Sequence, residues 1–417
     1  MNISVPMAWY KNRGIRTDDI LFYVIQAAFF SIPLGTSPPT ICGVIAVLIW
    51  IFSGKAFQSY RDLRNETWLW PVLFLIALPW IGLLYTPDPA GLGIKFAQKT
   101  HYWIYCIVAA SLSFRSHSPE RLIQAFLLGL AVNVFAAVLQ LAGWVPATRF
   151  YGSDFYYGFG LGYSTLSVYL IVGMLISSYY FRETKKKNRR LLLLSLMSGY
   201  FFHLLILEGR VGFFTFVLIS PFIVRNLFPG FGLLKSALVC VLICAMMCLS
   251  PTVRKRISKT KAELLYHLNA EEHLAWGKTY TEHQDRFYMW YGAVHIFLDN
   301  PIIGAGTGSY RTEMKKRGRP EWPASSHPHN SILYMAVSFG TIGVIILLWF
   351  FTEMVKNGWR SRQLPVGFFI LSTAFVIFIS GFVDTQILDA GTLMLLALVT
   401  GLQRELSLVT FEDNEIR

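Results

Sequence analysis

Apolar runs recur along almost the whole chain. They fall at about 20–35, 40–54, 67–85, 101–114, 122–144 and 163–181, and again at about 191–208, 211–228, 232–250, 329–351, 366–383 and 387–403. About twenty apolar residues carry a helix across the hydrocarbon core of a bilayer, so the pattern predicts roughly twelve spans. Several runs are short, and the first two also fit a re-entrant pair. Only residues 251–328 stay polar over a long stretch. The expected fold is an all-α polytopic membrane protein. Its parts are an N-terminal helical unit over 1–250, a large and mostly helical loop over 251–328, and C-terminal helices with a short tail over 329–417.

The polar segment has its own pattern. A helical stretch is predicted near Lys259 to Trp276. A second one, Arg286 to Leu298, places Phe287, Trp290, Val294 and Phe297 at the spacing of one helix face. The glycine-rich turn Asn300-Pro-Ile-Ile-Gly-Ala-Gly-Thr-Gly-Ser309 follows; no strand precedes it, so it is not a dinucleotide fingerprint. Lys315-Lys316-Arg317 and the turn Arg319-Pro-Glu-Trp-Pro323 lead into His327-Pro-His329. No repeat is visible, and Glu412 to Arg417 reads as a disordered end.

Basic residues orient the spans. With the N-terminus inside, the inside segments hold 21 Lys and Arg residues, including the cluster Arg182, Lys185, Lys186, Lys187, Arg189 and Arg190. The short outside segments hold 4: Lys95, Lys99, Arg149 and Arg210. That asymmetry predicts both termini in the cytoplasm. The other 12 lie in 251–328, and a long translocated segment escapes the rule.

Composition sharpens the class. The chain is 54% hydrophobic and 15% charged, against about 25% charged for a soluble domain. Met1 to Ile20 is polar and carries Lys11, Arg13 and Arg16, unlike a cleavable signal peptide. The formal net charge of +13 points to anionic partners, either lipid headgroups or phosphorylated substrates, and no nucleic-acid partner is expected. Cys42, Cys106, Cys240, Cys244 and Cys248 all lie in apolar runs, where packing is a simpler role than metal or redox chemistry.

Candidate chemistry gathers at the predicted outer boundary. His329 and Asn330 stand at the foot of the 329–351 run, and Gly340 and Gly343 follow within it. A titratable imidazole at that depth invites a functional reading, although a helix cap or a packed histidine is the plain alternative. His327 competes for any role given to His329. Arg210 sits in the brief connection Leu207-Glu208-Gly209-Arg210. It either snorkels or presents a bidentate guanidinium to phosphate. Arg286 opens the amphipathic stretch and, alone, reads as a loop arginine. Glu208, Asp285, Asp384 and Asp389 are possible carboxylate partners, with solvated turn residues as the plain alternative for the last two.

Taken together, these residues resemble a known family. His329-Asn330, nine residues, then Gly340-x-x-Gly343 is similar to the signature of the O-antigen ligase and polymerase superfamily of bacterial envelope glycosyltransferases. The order of Arg210 at a hairpin tip, Arg286-Phe-Tyr-Met-Trp290, the glycine-rich turn and the histidine motif resembles it too. The likeness is at the level of motifs over about 204–345 and of topology in the N-terminal half. One departure is Glu208 at the tip, where relatives often carry a hydroxyl residue.

The resemblance implies the helical membrane glycosyltransferase fold with one large periplasmic loop, in the bacterial inner membrane with the active site facing the periplasm. It implies an inverting enzyme that moves O-antigen from undecaprenyl diphosphate to a sugar hydroxyl of lipid A–core oligosaccharide. His329 would be the general base, and Arg210 and Arg286 would hold the donor diphosphate. Lys315, Lys316, Arg317 and Arg319 would attract the acceptor, with His327, Asn330, Glu208, Asp384 and Asp389 as supporting candidates. The sequence shows no Asp-x-Asp motif or Glu/His ligand cluster, so neither metal nor cofactor is expected. Rival readings are an O-antigen or capsule polymerase, a protein O-oligosaccharyltransferase, and a lipid-linked glycan transporter. A transporter should show charges deep in its spans, and the mid-span runs here are almost free of them.

Overall fold

The computed structural model describes residues 17–114, 117–146, 158–207, 209–248, 253–255, 257–258, 260–262, 286–317 and 325–407. Glu208, Asp285, Arg319, the turn after it, most of the stretch near Lys259 and the C-terminal tail lie outside the described residues. Among the described residues every regular element is helical. The N-terminal part comprises α1 (Thr17–Ser31), α2 (Ser37–Phe52), α3 (Lys55–Leu63), α4 (Leu69–Ile81), α5 (Ile94–Gln98) and α6 (Ile104–Ala110). Four long helices and a weaker one follow: α7 (Glu120–Leu141), α8 (Tyr163–Glu183), α9 (Lys187–Ile206), α10 (Arg210–Leu227) and α11 (Leu233–Met247). The polar segment contributes α12 (Arg286–Asp299) and α13 (Tyr310–Arg317), and the C-terminal part α14 (Ser331–Arg360), α15 (Pro365–Ser380) and α16 (Ala390–Gly401).

Each apolar run lies on helical structure, but the expected count of twelve spans is not supported. Among the described residues six helices are long and apolar enough to cross a membrane: Thr17–Leu34, Glu120–Leu141, Tyr163–Glu183, Lys187–Ile206, Arg210–Leu227 and Ser331–Arg360. A seventh is reached if α2 and α3, bent by 87°, count as one broken span. The reason is length. The 13 residues of α4 and the 16 of α15 rise about 20 and 24 Å, short of a hydrocarbon core of about 30 Å. The 67–85 run bends into a 3₁₀ turn at Gly82–Leu84, and the 101–114 run begins as a 3₁₀ turn over Lys99–Trp103. Hydropathy registers apolar length and is blind to such breaks.

Burial separates the centre of the bundle from its surface. The apolar window of α8 is 89% buried, and α9, α10 and α15 pack around it. The window of α9 is only 28% buried and leaves Leu191, Leu192 and Phe202 exposed. Such a face would be unfavourable in water and is natural against lipid tails. α14 packs on α15, α4 and α12, which brings the polar segment against the C-terminal helices.

Although α14 spans 30 residues, it is two half-helices. Gly340 has φ 62° and ψ −154°, a conformation open essentially to glycine alone. A β-carbon there would overlap the Ile302 carbonyl. The break frees backbone groups, and the glycine-rich turn takes them up. Ala305 and Gly306 N–H donate to the Val337 and Ser338 carbonyls at 2.7 and 3.0 Å, and Thr341 N–H donates to Pro301 O at 2.8 Å. Thr307 ties the same turn to α4, its hydroxyl donating to Pro79 O at 2.7 Å. Irregular backbone at this depth is tolerable because protein, not lipid, covers it. The turn glycines thus serve packing, and the partner of Gly340 is this turn and not a neighbouring helix.

Candidate functional site

The first half of α14 begins at an elaborate cap. Asn330 accepts from Leu333 N–H through Oδ1 at 2.9 Å, and its amide donates to Phe382 O at 2.9 Å. Ser331 N–H donates to Gly381 O at 2.7 Å. These bonds fasten the helix start to the end of α15. His329, just before the cap, has φ 50°, the one described non-glycine residue in the left-handed region. Strained backbone of this kind persists where the surroundings over-determine it.

That conformation turns His329 onto Asp384. Its Nδ1 lies 2.9 Å from Asp384 Oδ1, with the imidazole 32% and the carboxylate 20% exposed. Oδ1 also accepts from Thr385 N–H at 2.8 Å, and Oδ2 from the Ser164 hydroxyl at 2.5 Å. Gln386 Nε2 donates to Ser164 Oγ at 3.0 Å, so Ser164 has its own hydrogen free for the carboxylate. Burial would raise the Asp384 carboxyl. The hydrogen bond and charge of His329, the Ser164 hydroxyl and the nearby Arg286 charge outweigh it and hold the group below the usual carboxylate range. An ionised Asp384 only accepts, so His329 Nδ1 carries the proton of this bond and Nε2 is the ring nitrogen that Asp384 does not engage.

His327 is arranged the other way. Its Nδ1 lies 3.0 Å from Thr385 Oγ1 and 3.4 Å from His329 N–H. Thr385 Oγ1 accepts from Asn330 N–H at 3.1 Å, which leaves its hydrogen for His327. Nδ1 therefore accepts, the proton sits on Nε2, and the ring has no lone pair to offer outward. Burial, the neighbouring His329 and the charges of Lys99 and Arg311 push His327 down to about 3, so it is neutral near neutral pH; Asp384 pulls the other way. The two rings are 4.4 Å apart at 59°.

The remaining sequence candidates divide. Arg210 opens α10 behind Gly209, which packs so closely on the Tyr163 ring that a β-carbon would overlap it. Tyr163 opens α8 beside Ser164, so the hairpin tip lies against the helix end that supports Asp384. Arg286 opens α12 within electrostatic reach of Asp384. Asp389 caps α16, accepting from Thr392 N–H at 2.9 Å. Arg317 is neutralised by Asp299 and by Glu313 at 2.6 Å, and Lys316 pairs with Glu313 at 2.6 Å. Glu208 and Arg319 lie outside the described residues.

Sequence reasoning missed Ser164, Thr385, Lys99 and Arg311. Only Lys99 carried a signal, as one of the few cations in the short outside segments. Tertiary structure also assembles a cluster that spacing concealed. His327, His329 and Asp384 bring ligand atoms within 4.8 Å of one another, a set that fits a divalent cation by donor type. The charges of Arg286, Lys99 and Arg311 around it oppose a cation and favour an anion.

Among known families, a model described as O-Antigen ligase matches residues 155–348, from just before α8 to the second half of α14. The match includes Arg210, Arg286 and His329 and ends before Asp384. No curated protein matches the chain.

Proposed function

From the premise that this helical membrane protein carries an O-antigen ligase family domain over residues 155–348, we propose that it is the transferase joining O-antigen to lipid A–core. The observation that carries the reading is the His329–Asp384 pair beside Arg286. The donor is a glycan on undecaprenyl diphosphate. His329 Nε2 takes the proton from an acceptor sugar hydroxyl as that oxygen attacks the anomeric carbon. The carbon–oxygen bond to the diphosphate breaks, and its electron pair leaves on the diphosphate. Attack opposite the leaving group inverts the anomeric carbon. Arg210 and Arg286 neutralise the departing diphosphate, the charge stabilisation such a leaving group requires. His327, whose lone pair is already used inside the protein, supports the loop and is not the base.

Helix length and the basic cluster together support a periplasmic site. α8 is 21 residues, about 32 Å of rise, and runs from Tyr163 beside the site to the Lys185–Arg190 cluster. A cluster of that sign belongs in the cytoplasm, so the site belongs at the periplasmic face. The test is envelope lipopolysaccharide profiling in a strain lacking its own ligase, complemented with wild type or His329→Ala. Long-chain lipopolysaccharide with wild type alone supports the ligase. Bare lipid A–core with lengthened polyprenyl-linked glycan identifies a polymerase instead. Normal ligation by His329→Ala removes His329 as the base.

A further inference from the structure

A groove between the first halves of α1 and α7 takes no part in the chemistry above. The two helices run side by side in parallel. His117 Nε2, just before α7, meets Asp19 Oδ1 at 2.8 Å, and further along the Asn133 amide donates to Pro33 O. Between these ties the helices touch backbone to backbone, because a β-carbon at Gly129 would overlap the Phe30 carbonyl. Toward their beginnings they part, and the gap holds about 420 Å³, within the range of about 300–1,000 Å³ for small-molecule sites. Gln140, near the end of α7, donates to Gly158 O at 3.0 Å, shortly before α8 begins. α7 therefore runs antiparallel to α8, and its beginning lies at the end of the bundle that carries the Lys185–Arg190 cluster.

The chemistry along the groove changes in one direction. Arg121, the second residue of α7, is exposed and lines the outer end. Gln124 of α7 and Gln26 of α1 line the next turn, and Ala125, Leu128 and Phe30 line the rest. Counted from the contact between Gly129 and Phe30, Arg121 lies about 12 Å of helix rise back and the two glutamines about 6–8 Å. Among the described residues the side chains of Arg121, Gln26 and Gln124 form no hydrogen bond or ion pair. The acidic groups at the start of α1 are taken, Asp18 by Lys55 and Asp19 by His117. Both helices are long and apolar enough to cross a membrane, where a polar group without a partner is unfavourable against lipid tails.

We propose that this groove binds one anionic glycerophospholipid of the cytoplasmic leaflet, with its phosphate on Arg121, an ester carbonyl on the glutamine amides and an acyl chain along Ala125, Leu128 and Phe30. A glycerophospholipid presents those three groups in that order. Guanidinium matches phosphate oxygens bidentately, amide N–H donates to ester carbonyls, and the apolar walls take the place of neighbouring tails. The anionic class follows from charge, since Arg121 lines the groove and no carboxylate does. The leaflet rests on the orientation argued above, whereas the chemistry of the groove is independent of the transferase reading. The diphosphate of the proposed donor belongs at the opposite face and is not the occupant.

The test uses the purified full-length protein in detergent with added phosphatidylglycerol or phosphatidylethanolamine. Bound lipid is counted by native mass spectrometry, and melting temperature is the control for folding. The variants are Arg121→Met, Arg121→Lys and Gln124→Leu, with Arg225→Met removing a cation near the end of α10, outside the groove. The expected result is one phosphatidylglycerol held by the wild type and affinity about tenfold weaker in Arg121→Met, the size of losing one charge-assisted bond. Arg121→Lys should recover part of it, and Arg225→Met should match the wild type. Gln124→Leu should weaken binding about fivefold, the size of one neutral hydrogen bond. General solvation of an apolar surface predicts the reverse for that variant, because leucine suits lipid tails better than glutamine does. Equal binding in wild type, Arg121→Met and Gln124→Leu overturns the proposal. Equal binding of the two lipids overturns the anionic class, and a dimer without bound lipid overturns the proposal by assigning the groove to a second copy of the chain.

Discussion

Replacing Asp384 with asparagine isolates what its charge contributes. The asparagine Oδ1 can still accept from His329 Nδ1–H and Thr385 N–H, so the imidazole keeps its tautomer and orientation. The amide nitrogen then faces Ser164 Oγ, which has a lone pair for it besides the one used by Gln386. What disappears is the negative charge 2.9 Å from Nδ1, where positive charge would develop in the proposed reaction as His329 takes the acceptor proton. A hydrogen bond to a charged partner contributes about 1.5–3 kcal/mol. At about 1.4 kcal/mol per tenfold, kcat should fall about 10- to 150-fold with KM for both substrates little changed. Asp384→Ala also leaves His329 Nδ1–H and Thr385 N–H without their acceptor, and should approach the loss in His329→Ala. Combining Asp384→Asn with His329→Ala should add nothing, since the two residues act as a unit. The assay is transfer by purified full-length protein from lipid-linked donor to lipid A–core, with melting temperature as the control for folding. An Asp384→Asn enzyme within about twofold of wild-type kcat would refute the reasoning.

Acidification from pH 7 to 5 should lower the melting temperature through His327. Folded, it is pushed down to about 3 from 6.5, so in this window the unfolded chain binds the proton and the folded one does not; stability is lost as pH falls below about 6.5. His327→Gln should flatten that slope, and an unchanged slope would contradict the burial argument. Asp384 has the opposite assignment of charge. Its contribution is fully present above about pH 4 and is lost only below it, so it adds no slope between pH 7 and 5. Gly340→Ala should cost about 1–3 kcal/mol or more, from the glycine-only conformation and the overlap with Ile302, read as a drop in melting temperature or in folded yield. Lys315→Met with Lys316→Met should slow transfer by about threefold at low salt and not at all at high salt, because exposed charges act at long range and are screened. Arg317→Met should lower stability more than it changes the salt dependence, since Arg317 already joins Glu313 to Asp299.

Much of this protein was determined by local sequence. Partitioning into a bilayer depends on the summed apolar character of consecutive residues, so the all-helical membrane class and the position of each helical run were legible from one-dimensional pattern. The basic cluster at Lys185–Arg190 and the sparse cations opposite it carried the expected orientation in the same additive way. His329 stood out because an imidazole at the foot of an apolar run is rare.

The tertiary structure decided the rest, because the deciding contacts join residues far apart in sequence. Nothing within the helix around Gly340 announces that a turn some thirty-five residues earlier occupies its break, yet that insertion makes two half-helices of one apolar run. The same limit separates the twelve expected spans from the six long ones found among the described residues, since 3₁₀ turns and chain reversals leave composition unchanged. Asp384 and Asp389 are alike in sequence, two aspartates at one turn. Packing of α15 against α14 turns the first toward His329, while the second caps α16. Ser164 reaches Asp384 across 220 residues, and Arg311 differs from Arg317 only in which carboxylates the fold brings near. Local pattern reports where a residue partitions, whereas its proton, charge and partner depend on the helix that happens to lie across from it.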